Sequence, residues 1–176
     1  TYAKQLAQEK LFGFSDEIST WEMEHGKMGE MMAFKHYVDY VNPDIVVGGW
    51  RRNGDCGGTT DAETSDTVVD FKCPSTFKAW LDYIHEPLKK EYYDQLQMYC
   101  YLTGKPYGEV AAYLIETQRM TDNGLTYPIP EEKRMIRVRV EADENWQDLL
   151  IQRVPEVIRM RDEFIETLTK YFNDGN

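Results

Sequence analysis

Cysteine is scarce in this chain of 176 residues, and badly spaced. Cys56, Cys73 and Cys100 are an odd number with no CxxC pair among them, which excludes a disulfide framework and a cysteine-ligated zinc or iron–sulfur site. They read as free thiols that act as small core hydrophobes, in keeping with a reducing cytoplasm. Histidine is equally sparse, and His25, His36 and His85 do not stand at ligand spacing; they read as structural or surface residues. No run of about 18 apolar residues occurs, so no membrane span is expected, and no signal-peptide pattern opens the chain. Positive charge is in deficit, with 20 basic residues against 31 acidic and a net charge of −11. That excludes nucleic-acid binding by bulk charge, while leaving room for a local basic path or a metal-bridged phosphate contact. An initiator methionine is also missing: the chain opens on Thr1, so the expectation is one domain over 1–176 that lacks some N-terminal residues.

What is present suffices for a core: hydrophobic residues make up 41% of the chain and aromatic residues 13%. Residues 1–12 read as a helix with Leu6, Ala7 and Leu11 as its apolar stripe. Gly13 and Ser15 interrupt it, and Thr20 serves as N-cap of a second helix that runs to about Val41 and stops near Pro43. Residues 44–72 read as strands: the apolar run DIVVGGW, a polar Gly-rich turn or finger in RRNGDCGG, then two strands around the tip TSD. A short helix over 75–84 ends before Pro87, and LKKEYYDQLQMYCYLTG is a strong helix closed by Gly104 and Pro106. EVAAYLIET reads as a buried strand and RMIRVRVEA as a half-buried one, with Ile136, Val138 and Val140 on one face. A polar loop over 117–132 separates these two strands. The remainder, from about Asp143 to Phe172, is helical, with Pro155 as a kink or break and a tail, NDGN, expected to fray. This order gives an α/β fold, a central mixed sheet flanked by helices.

The stretch DTVVDFKCPS carries the chemistry. Alternation puts Asp70 and Lys72 on one face of a strand and Phe71 on the other. If Ser65 and Asp66 form a two-residue turn, Thr64 faces Thr67 and Asp61 lies opposite Asp70, their Cβ atoms roughly 5 Å apart. Two facing carboxylates repel, and a hard divalent cation such as Mg²⁺ resolves the conflict. A third acid, Glu30, shares the helix stripe of Phe34, Tyr37 and Val41, where a carboxylate is costly unless paired, metal-bound or at the stripe edge and in water. Gln95 and Tyr99, four apart, share a face of the later helix. Met28, Met31 and Met32 read as packing residues, and Trp80, Trp146 and the tyrosines as core rather than base-stacking platforms.

The order of these groups resembles the PD-(D/E)xK nuclease superfamily, and more closely the phage lambda exonuclease (YqaJ-type) viral recombinase family. HGKMGEMMAFKHYV resembles that family's Gly-x-x-x-Glu at Gly26 and Glu30, and GTTDA its Gly-x-x-Asp at Asp61. VVDFKCPS resembles its (D/E)-x-K-C-P strand end at Asp70, Lys72, Cys73 and Pro74, and YYDQLQMYCYLTGK its Tyr-x-x-Gln-x-x-x-Tyr helix at Gln95 and Tyr99. Three departures stand out. Asp70 replaces the family's usual Glu, RRNGDC is longer than the usual hairpin, and the family's upstream Arg and Ser segment for gripping a 5′-phosphate is not found in the sequence from Thr1, so either residues before Thr1 carry it or this protein lacks that grip.

The resemblance implies a restriction-endonuclease-like core and metal-dependent hydrolysis of linear double-stranded DNA from its ends, in the 5′ to 3′ direction. Glu30, Asp61, Asp70 and the Phe71 carbonyl would hold Mg²⁺ or Mn²⁺. Lys72 would position the nucleophile and stabilise developing charge, with Gln95 orienting the site and Tyr99 supporting it. A single-strand annealing protein as partner, a homotrimer around the DNA, and a phage or prophage activity in the bacterial cytoplasm are implied likewise. Arg51, Arg52, Lys78, Lys89 and Lys90 are candidates for phosphate contacts or ordinary solvated charges. Three other readings compete: an endonuclease or RecB-like repair nuclease, a non-catalytic DNA-binding module on the same fold, and an Asp70–Lys72 pair with only a local structural role.

Overall fold

A computed structural model describes residues 2–13, 21–74, 76–116, 123–124 and 126–173. These fall into two compact units, one built from the two ends of the chain and the other from the middle, Ser19–Asp143. In the first unit, helix α1 (Tyr2–Phe12) packs with the long helix α5 (Glu144–Asn173). Of the expected stripe Leu6, Ala7 and Leu11, Ala7 is buried and Leu6 half-buried, while Leu11 is exposed; Ala3 is the other buried residue of α1. Phe12 meets Phe172 edge to face at 5.8 Å. Pro155 lies inside α5 without ending it. The break and N-cap expected at Ser15 and Thr20, and the last residues of the expected frayed tail, 174–176, lie outside the described residues.

The second unit is built on a five-stranded sheet. Its strands are β1 (Val46–Val47), β4 (Ala62–Glu63), β5 (Thr67–Lys72), β6 (Tyr107–Tyr113) and β7 (Met135–Glu141), in the order β1-β4-β5-β6-β7. Only β5 and β6 are parallel, and the crossover between them supplies helices α3 (Phe77–His85) and α4 (Lys90–Thr103). Parallel neighbours demand such a crossover, since no tight turn can join them. A separate hairpin of β2 (Trp50–Asn53) and β3 (Cys56–Thr59) forms the finger expected from its glycines. The expected helices and strands otherwise hold to within a few residues, and Gly104 ends α4 with a left-handed φ of 69°.

Helices cover both faces of the sheet. Helix α2 (Trp21–Tyr40) brings Ala33 and Tyr37 onto Ala62, Val69, Phe71, Ala111 and Tyr113. On the opposite face Trp80 of α3 packs on Ala112 and Leu114 and donates its indole N–H to the Ala112 carbonyl at 3.0 Å. Leu96 and Cys100 of α4 lie over Gly108, where an added Cβ would come within 2.9 Å of Leu96. Gln97, fully buried, accepts the Asp143 N–H at 2.7 Å and donates to the Glu141 carbonyl at 2.8 Å. These two bonds fix α4 against the end of β7 and so set which face of α4 meets the sheet. Met31 and Met32, expected to pack, are exposed: they sit on the outer side of α2, opposite Ala33 and Tyr37. Met28 lies outside the residues whose side chains are described.

Candidate active site

The β4–β5 ladder pairs Ala62 with Val69 and Glu63 with Val68, and Thr64 N–H bonds the Thr67 carbonyl at 2.8 Å. That is the register of the two-residue turn, and its continuation sets Asp61 opposite Asp70. Phe71 turns the other way, onto Phe34 and Tyr37 of α2 at 6.3 and 5.9 Å between ring centres. Asp61, Asp70 and Lys72 therefore share the face of the sheet that α4 covers, at the carboxyl end of β5.

Their contacts form a chain. Lys72 Nζ lies 2.7 Å from Asp70 Oδ2 and donates to Gln95 Oε1 at 3.3 Å. Gln95 Nε2 donates in turn to the Tyr99 hydroxyl at 2.9 Å. Asp61 Oδ2 accepts the Phe71 backbone N–H at 2.8 Å, which ties the two strands together at the site. The Lys72 ammonium also lies 5.0 Å above the Tyr92 ring, and Tyr83 stacks parallel to Tyr92 at 6.3 Å. Tyr92 was not among the expected site residues, although its position three before Gln95 places it on the same helix face. Asp70 and Lys72 do pair, as the purely structural reading requires, but not in isolation: Asp61, Gln95 and Tyr99 converge on them.

The electrostatics are those of a crowded acid site. Asp70 is 1% exposed, and burial pushes its carboxyl up to about 6; Lys72 offsets part of this, while Asp61 and Glu30 add repulsion. Although Lys72 stands at ion-pair distance, Asp70 Oδ2 accepts no hydrogen bond in good geometry. Asp61 is likewise raised by burial, against the pull of the Phe71 N–H and Lys72. For Lys72, burial alone would lower the pKa, but Asp70 and then Asp61 outweigh it, so the ammonium is held above its ordinary value. Burial and the charges of Glu30 and Asp61 push the Cys73 thiol up to about 12, so Cys73 is a packing group and not a nucleophile.

Glu30 sits on α2, exposed at the edge of the stripe, and acts on Asp70 and Cys73 through its charge. The close approach that brings it there is at its neighbour Gly29, where a Cβ would come within 2.5 Å of Cys73 Sγ and of Ile115. Gly26, the glycine of the expected motif, belongs to the stretch 21–28 whose surroundings lie outside the described residues, as does the His25 side chain. Among the described residues no three His, Cys, Asp or Glu side chains converge into a closed metal cage. A Mg²⁺ ion does not need one, because it commonly takes one or two carboxylates and fills the remaining positions with water and substrate phosphate. The buried Asp70 carboxylate, paired with Lys72 and set beside a second carboxylate, fits that donor set.

Of the basic candidates, Arg51 pairs with Glu63 at 2.9 Å, Lys78 with Asp82 and Lys90 with Asp94. Lys89 lies over Tyr92 at 5.5 Å, and Arg52 donates to the Gly54 carbonyl at 2.9 Å. His36 is buried, 2.6 Å from the Glu131 carbonyl, and His85 is exposed, as expected of structural and surface histidines.

The five-stranded mixed sheet covered by helices on both faces has the restriction-endonuclease-like architecture expected from the sequence, as the likeness to solved structures shows. Among solved structures the chain is similar to the alkaline exonuclease LHK-Exo of Laribacter hongkongensis, with a TM-score of 0.78 at 20% identity over 98% of this chain and 84% of that one. The same enzyme solved with dAMP gives 0.76 over the same spans. A phage-related exonuclease of Haemophilus somnus gives 0.78 at 20% identity over 95% and 82%. At this identity the likeness establishes a shared fold. No family model matches the chain, and no curated protein sequence matches it.

Proposed function

We propose that this chain is a metal-dependent DNA exonuclease that degrades linear double-stranded DNA from its ends, 5′ to 3′. The observation that carries the reading is the convergence of Asp61, Asp70, Lys72, Gln95 and Tyr99 at one strand end. Folds host many functions, so the residues count for more than the likeness; that the solved relatives are exonucleases adds support.

Asp61, Asp70 and the Phe71 carbonyl would hold Mg²⁺ or Mn²⁺, with Glu30 adding negative charge from α2. The ion, when bound, supplies Lewis-acid neutralisation of phosphate charge and a nucleophile competent at neutral pH. In the metal-free protein Asp70 and Asp61 hold the Lys72 ammonium above its ordinary pKa, and its proposed role is to orient the attacking water and to stabilise charge that develops on the phosphate oxygens. Gln95 holds the Lys72 ammonium in line, and Tyr99 holds Gln95. Double-stranded DNA ends as substrate, a single-strand annealing protein as partner, a homotrimer and a phage or prophage role in recombination in the bacterial cytoplasm belong to the same proposal, through the family resemblance.

The test is digestion of linear duplex DNA labelled separately at its 5′ and 3′ ends, in Mg²⁺, Mn²⁺ or EDTA, beside a closed circle. The expected result is metal-dependent loss of the 5′ label first, with the circle intact. Cutting of the circle would replace this reading with an endonuclease, and no cleavage in either metal would overturn it.

A further inference from the structure

We propose that the β2–β3 hairpin is a platform for an unpaired DNA strand, with Trp50 stacking on a base and Arg52 taking a phosphate. This rests on the nuclease reading and names a strand contact beside that site.

Strand alternation divides the hairpin into two faces. The inner face is fully engaged. Arg51 reaches Glu63 at 2.9 Å, Asn53 Nδ2 donates to the Tyr101 carbonyl at 3.0 Å, and a Cβ on Gly58 would lie 3.2 Å from Leu102 and 3.7 Å from Tyr99. Glu63, only 7% exposed, also accepts the Thr60 hydroxyl at 2.9 Å and has Lys105 at 3.7 Å. A buried carboxylate with this many partners holds the base of the hairpin in one place.

The outer face carries Trp50 and Arg52. Trp50 is 66% exposed, yet its ring is seated: a Cβ on Gly57 would come within 2.5 Å of the indole Cζ2. The rim of the indole beside Cζ2 and Cη2 thus rests where Gly57 carries no side chain, and most of the ring faces water. An indole held at its rim and otherwise open contributes little to a core and leaves its ring surface free for stacking. Arg52 is exposed and, among the described residues, makes no ion pair, whereas Arg51, Lys78 and Lys90 each have one. Arg52 Nε donates to the Gly54 carbonyl at 2.9 Å, which leaves the charge of the guanidinium open to an anion beside the indole in a chain of net charge −11. Aromatic rings with cations are how sequence-tolerant sites hold single strands. The hairpin is joined to the site through the chain: β3 leads through Thr59 and Thr60 into Asp61, whose carbonyl accepts the Gly48 N–H at 2.8 Å, while Trp50 and Arg52 lie on the hairpin face turned away from Tyr99.

The test is binding of a labelled oligothymidylate in EDTA, read by anisotropy and by quenching of tryptophan fluorescence, with melting curves for every variant. Trp50→Ala should weaken binding about tenfold or more, and Trp50→Phe should retain most of the affinity while losing the quench. Arg52→Ala should reduce the salt slope by about one, and Arg159→Ala, an equal loss of charge on α5, should bind as the wild type does. Duplex cleavage by the wild type in Mg²⁺ is measured in parallel. Binding that needs Trp50 in a protein that does not cleave would defeat the nuclease reading and leave the platform standing. Cleavage by a protein whose Trp50→Ala and Arg52→Ala variants bind normally, or a wild type that binds no oligothymidylate, would overturn the platform.

Discussion

Asp70 is the residue at which function and stability pull apart. Its carboxylate is buried beside Asp61 and within reach of Glu30's charge, and Lys72 compensates it in part. A carboxyl whose folded pKa is about 6 against an ordinary 3.8 favours folding while protonated. Its contribution is therefore full below about pH 4, lost as pH rises to 6, and absent at pH 7. Metal-free Asp70→Asn should be more stable than the wild type at pH 7 by up to about 2–3 kcal/mol and no more stable at pH 4, as urea unfolding in EDTA at the two pH values would show. The same variant should lose cleavage. Equal stabilities at pH 7 would mean that Asp70 is not held in a repulsive site. The Asp61, Asp70 and Lys72 geometry was legible in the sequence because strand alternation and a two-residue turn are short-range rules that leave one register. The place of Glu30 was legible only as far as the helix stripe. Whether a residue at the edge of a stripe is buried depends on what packs there, and Gly29 against Cys73 is a contact between segments far apart in sequence.

At the scale of elements, α2 and α4 deliver their residues by close packing. Gly29→Val would put side-chain atoms where Cys73 and Ile115 already are. It should cost about 1–3 kcal/mol of stability and lower cleavage by moving Glu30 away from β5, outcomes that thermal unfolding and an activity assay would separate from an inert substitution. Tyr99→Phe removes the acceptor of the Gln95 amide without changing the ring that faces Gly58. Loss of one such bond is worth about 1 kcal/mol, so cleavage should fall by up to roughly fivefold and the melting temperature by no more than about 2–4 °C. Sequence patterning located these elements but misjudged some of their faces. Leu11 of α1 and Met31 and Met32 of α2 were assigned to packing and are exposed, whereas the buried positions are Ala3 and the expected Ala7 in α1, and Ala33, His36 and Tyr37 among the described side chains of α2. Pro155 removes one backbone bond from a helix of 30 residues, and the rest of the helix continues past it.

At the scale of the whole molecule, a net charge of −11 means that DNA must be held by a few local contacts against a repulsive background. With about three phosphate contacts, a rise from 50 to 200 mM salt should weaken binding roughly 40-fold, measured by anisotropy with a duplex end under non-cleaving conditions. A flat salt response would contradict any phosphate-based mode. The order of strands and helices was readable from turns, caps and alternation, while the pairing of β1 with β4 and the covering of both sheet faces arise from contacts distant in sequence. The central claim is that Lys72, held by Asp70 and Gln95, serves hydrolysis at this strand end. The most direct measurement is the single-turnover rate of duplex cleavage in Mg²⁺ for the wild type and Lys72→Ala, each shown to be folded and to bind DNA. The account predicts a loss of about 10²–10³-fold in the variant. A variant that cleaves at the wild-type rate would contradict it.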